Sequence, residues 1–187
     1  MNHRLYSFAL VLALAAAPAP ALAQELRPAP EQDYIKQVRA VYNQAQDSIR
    51  QGKAEPLAKN ELTLKATYMQ PGAGQTQHTV EVFFRTPQVD ENGRAVPAQP
   101  YLARETFNVA ARTFLREYLW SNAGEPLFFF SRHDTFDKGK VEQRYYYRGG
   151  DVAAAVPEGG NGMDFLPQFE RIKALLHSTQ ALQQGND

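Results

Sequence analysis

Residues 112–156 read RTFLREYLW (112–120), SNAGE (121–125), PLFFFSRHDTF (126–136), DKG (137–139), KVEQRYYYR (140–148), GGD (149–151) and VAAAV (152–156). Aromatic and β-branched residues fill the longer runs, as suits a pleated and half-buried surface. Asn122 to Gly124, Asp137 to Gly139 and Gly149-Gly150 stand at the breaks, where tight turns need residues that accept positive φ. Four strands joined by three turns predict an antiparallel meander.

Two alternating runs lie upstream. Leu62, Leu64, Ala66 and Tyr68 alternate with Glu61, Thr63, Lys65 and Thr67, and His78, Val80, Val82 and Phe84 alternate with Thr79, Glu81, Phe83 and Arg85. A period of two places each set on one side of a strand. The breaker Pro71-Gly72-Ala73-Gly74 between them predicts a hairpin. Residues 87–100 carry three prolines and Asp90-Glu91-Asn92-Gly93, a long surface connection. Tyr101 to Val109 reads as a further strand, with a bend at Asn108 to Ala111 leading into the meander.

The ends of the chain change period. Ile35, Val38, Tyr42, Ala45 and Ile49 recur at steps of three and four, which predicts an amphipathic helix over 31–51. Glu31 and Asp33 fall in its first turn, where the helix dipole favours negative charge. Phe165, Phe169, Ile172, Leu175, Leu176 and Leu182 predict a second helix, with Asp164 as its cap and Pro167 in its first turn. A polar tail is expected from Gln180 onward. Helix, strands and helix without alternation predict an α+β domain over 31–182: a curved antiparallel meander of six to seven strands, both helices on one face or at one end. That outline resembles cystatin-like domains and secreted inhibitors of bacterial enzymes in architecture alone, and the resemblance transfers no functional residue.

Residues 1–23 hold one basic residue, an apolar run from Leu5 to Ala17 and the small-x-small site Ala21-Leu22-Ala23, the pattern of a signal peptide cut after Ala23. The apolar run is shorter than the roughly 20 residues that a bilayer of roughly 30 Å demands. Residues 24–30 then form a spacer. Cleavage leaves 164 of 187 residues, enough for one core. The 20 basic and 20 acidic residues become 19 and 20 with the loss of Arg4, a balance that offers nothing to nucleic acid. The chain has no cysteine, which removes disulfides, thiolate ligands, a thiol nucleophile and a lipid-modified cysteine at the cleavage site. A bacterial periplasmic or secreted product without a membrane anchor is expected.

No G-x-S-x-G, H-E-x-x-H, Walker or dinucleotide-binding pattern occurs, and no cofactor or metal is expected. His133 could serve as a base with a carboxylate, or pair with His78 as half a metal site, yet no third ligand stands at useful spacing. Asp134 follows His133 and so points to the opposite face of a strand. His177 has no marked partner. The feature that resembles a binding site is a side of the meander on which parity places Arg112, Arg116, Arg132, Lys140, Arg144 and Arg148 among Phe114, Tyr118, Trp120 and Tyr146. Guanidinium groups among rings suit an acidic glycan or an acidic envelope protein. Cross-strand charge and ring pairs also stabilise any sheet. The expectation is a non-enzymatic binding or accessory protein. The rivals are a small hydrolase with a cleft between helices and sheet, and a structural subunit of an envelope assembly.

Overall fold

A computed structural model of the chain describes residues 31–51, 60–72, 74–85, 88–89, 91–110, 112–135, 139–157 and 164–184. The expected leader, its cleavage point and the spacer lie outside the described residues, as do Gly52 and most of the run that follows Val156. The elements in order are α1 (Glu31–Gln51), β1 (Asn60–Gln70), β2 (Gly74–Phe84), β3 (Gln88–Val89), β4 (Ala95–Val96), β5 (Pro100–Val109), β6 (Arg112–Trp120), β7 (Pro126–Thr135), β8 (Gly139–Arg148), β9 (Asp151–Val156) and α2 (Leu166–Gln184). The fold is α+β. Seven strands form one open antiparallel sheet in the order β1-β2-β5-β6-β7-β8-β9, and β3 with β4 makes a short ladder inside the 87–100 connection. Helix α2 continues through Gln184, past the point where the polar tail was expected to begin.

Local chemistry explains the turns and ends. Ser121 Oγ accepts from the backbone N–H groups of Ala123 and Glu125 at 3.1 Å each, and Gly124 takes φ 79° at the tip of this turn. The bend between β5 and β6 places Ala110, a residue with a Cβ, at φ 54°. Leu166 N–H donates to Asp164 Oδ1 at 2.9 Å, the expected cap on α2.

The helices do not share a face; they cover opposite faces of the sheet. On one side Tyr118, Trp120, Phe129, Tyr145 and Tyr147 pack with Phe165 and with Phe169, Ile172 and Leu176 of α2. On the other, Leu102, Leu119, Phe128, Phe130 and Tyr146 pack with Tyr34, Val38 and Ala45 of α1. The cause is visible in Leu127 to Phe130: with both faces of a central strand apolar, each needs its own cover. Tyr34 joins the buried stripe of α1 and donates its hydroxyl to the carbonyl of Tyr147, while Ile35 packs at the margin.

Candidate functional site

Register decides which side chains share a face. Arg116 lies opposite Ser131 and Tyr118 opposite Phe129, whereas Arg132 lies opposite Leu115 and Arg144 opposite Phe130. The expected Arg and aromatic side is therefore divided. Arg112, Phe114, Arg116, Tyr118 and Trp120 belong to the α2 side, and Arg132, Lys140, Arg144, Tyr146 and Arg148 to the α1 side. The alternation within each strand is as expected. The phase between β6 and β7 is set by the connection joining them, which pairs even-numbered with odd-numbered residues.

Burial corrects the rest of that set. Tyr118, Trp120 and Tyr146 are core residues with at most 1% exposure and present no surface to a ligand. Arg144 is paired with Glu142 and lies over the Phe130 ring, and Arg148 lies over the Tyr34 ring. Tyr146 receives a hydrogen bond from Arg39 Nε at 2.9 Å. Arg144 and Arg148 are thus tied to the packing of α1 and its neighbouring strands.

Two Arg-Glu dipeptides, 104–105 and 116–117, run antiparallel past each other, so Arg104 pairs with Glu117 and Glu105 with Arg116. Alternation sends one pair to each face. On the α1 side Glu117 accepts from Arg104 Nε at 3.0 Å, Gln46 Nε2 at 2.9 Å and the Tyr42 hydroxyl. On the α2 side Glu105, 1% exposed, accepts from Tyr118 at 2.7 Å, from His78 Nε2 at 2.8 Å and from Arg171. Burial alone would raise the Glu105 pKa, but the hydrogen bonds from Tyr118 and Arg171 and the charges of Arg171 and Arg116 outweigh it and hold the carboxyl below its ordinary value. Burial and the Glu105 charge push the Tyr118 hydroxyl far upward.

Beyond Glu105 the α2 side carries a row of half-buried rings. His78, Phe107, Phe114 and His133 occupy adjacent positions on β2, β5, β6 and β7, with centroid separations of 5.5, 5.0 and 5.2 Å. Three strand spacings of about 4.8 Å put the two histidines roughly 14 Å apart, too far to share an ion. Among the described residues no group of three or more His, Asp or Glu is placed to hold a metal. Arg116 lies over the Phe107 ring with its guanidinium carbon 4.8 Å from the centroid. Its Nη1 approaches Glu105 only to 3.6 Å, and its Nε is buried with no hydrogen-bond partner among the described residues.

A cleft of about 190 Å³ opens between α1 and the sheet. Ser48, Ile49, Glu61, Glu81, Phe83, Tyr101 and Arg104 line it. Burial pushes the Tyr101 hydroxyl up to about 12.

The row, Arg116 and the Glu105 cluster form the candidate site. Glu105, Phe107 and Arg171 were not legible as site residues, although the repeated Arg-Glu dipeptide around the Asn108 to Ala111 bend was a usable signal. No known protein family, curated protein or solved structure matches the chain.

Proposed function

We propose that the chain is an exported, non-catalytic binding domain whose ligand surface is the open end of the α2 side of the sheet. The observation that carries this reading is the row from His78 to His133, half exposed beside the Arg116 guanidinium, whose buried Nε meets no partner among the described residues. An acidic glycan suits such a surface, since Arg offers forked donors and the histidines add polar edges. The leader-like residues 1–23 support export to a periplasm or medium, and no helix among the described residues is long and apolar enough to cross a membrane. An array of acidic and neutral oligosaccharides, probed with wild type and with Phe107→Ala/Phe114→Ala, tests the surface. Retention of acidic members by wild type and its loss in the double variant are expected; no retention by wild type overturns the reading. The mass of protein from the exporting cell tests the leader, with Gln24 expected as the first residue.

The cleft favours a second reading, a small hydrolase. Glu61 and Glu81 both line it, and glycoside hydrolysis needs two carboxylates flanking the scissile bond. Turnover of a chromogenic glycoside that vanishes in Glu81→Gln would favour this reading over the first.

A further inference from the structure

Resting on the binding reading above, we propose that Arg116, with Arg171 beside it, seats a single oxyanion carried by the ligand, a sugar carboxylate or a sulfate ester.

Charge comes first. Glu105 supplies one negative charge to two guanidinium groups, Arg116 and Arg171, so these three side chains together keep one net positive charge. The Arg116 and Arg171 side chains are 29% and 47% exposed, open enough for a ligand to reach yet screened on their inner side.

Hydrogen bonding then separates the two arginines. Oε1 of Glu105 is occupied by His78 and Arg171, and Oε2 by Tyr118. The carboxylate is already well supplied with donors, and Arg116 stands off at 3.6 Å. An Arg fork matches a carboxylate or sulfate through two parallel N–H···O bonds. Contact with the Phe107 ring fixes the plane of the Arg116 guanidinium in advance, which lowers the cost of ordering it on binding.

The rings point the same way. Phe107 and Phe114 lie with planes 4° apart at 5.0 Å, so their faces are turned toward each other and their edges outward. Ring edges carry partial positive charge. The row therefore favours an oxygen-rich, anionic ligand over an apolar ring that would need an open face for stacking.

Calorimetric titration of the full chain with oligouronates, sulfated oligosaccharides and their neutral counterparts tests the seat. Binding of one acidic arm is expected and identifies the oxyanion, with the neutral counterpart at least about tenfold weaker, the worth of one charge-assisted hydrogen bond. Affinity should fall as salt rises. Arg116→Lys, which keeps the charge and loses the fork, should also lose about tenfold. The Arg116 Nε–H resonance of wild type should move on titration, a readout independent of whether a variant folds. Equal binding of neutral and acidic forms that Phe107→Ala abolishes would overturn the oxyanion seat and leave the binding surface standing. No binding by any arm would overturn both.

Discussion

Tyr118 donates its hydroxyl hydrogen to Glu105 Oε2 across 2.7 Å, and that bond joins the aromatic core beneath α2 to the open end of the same sheet face. Glu105 stands at the boundary, its charge held by donors from β2, β6 and α2.

The acid limb of stability should depend on Glu105. Its folded pKa lies below the unfolded value of about 4.3, so its contribution is complete above that value and is lost as pH falls through the folded pKa. Urea midpoints measured from pH 7 downward should show wild type more stable than Glu105→Gln at neutrality. The gap should close below about pH 4. Parallel curves would mean that the carboxylate is not held as described.

Arg104→Met should cost about 3 kcal/mol, because Glu117, 4% exposed, would keep a buried charge without its cation. The double change Arg104→Met/Glu117→Leu should recover part of that loss; the donors of Tyr42 and Gln46 that faced Glu117 limit the recovery. Denaturant titration of the full mutant cycle measures the coupling.

Phe169→Ala removes a ring with no exposed surface that meets Tyr118, Trp120 and Tyr147 edge-on at 5.2, 5.1 and 5.6 Å. A loss of about 3–5 kcal/mol is expected from transfer and cavity terms together. A loss under 1 kcal/mol would show that α2 is not packed as described, since even a conservative core deletion costs about that much.

Ala110→Gly should raise stability, by about 0.5–1 kcal/mol, because Ala110 occupies φ 54° at the β5–β6 bend. The gain is limited by the greater freedom of glycine in the unfolded chain. A thermal midpoint no higher than that of wild type would contradict the strain assigned to this bend.

Fold and site were legible to different depths for one reason: periodicity is local and register is not. Val38 and Ala45 identify the buried side of α1 from spacing alone, and the two helices and the seven strands of the main sheet follow from such patterns. Whether Arg132 lies beside Arg116 depends on the path of residues 121–125, and a change of one residue there reverses the answer. The expectation of both helices on one face or at one end gives way to opposite faces, because the doubly apolar Leu127 to Phe130 needs a cover on each side. His78 donates to Glu105, a contact between positions 27 residues apart that no window on the chain displays.

The crossed dipeptides make β5 and β6 a keyed joint. If β6 moved one residue along β5 in one direction, Glu105 would meet Glu117; in the other, Arg104 would meet Arg116. Either misalignment juxtaposes like charges in the middle of the sheet, while the native alignment alone among these three matches opposites on both sides at once. Four residues thus discriminate between neighbouring alignments of a hairpin whose oily side chains, being present on both sides, would tolerate all of them.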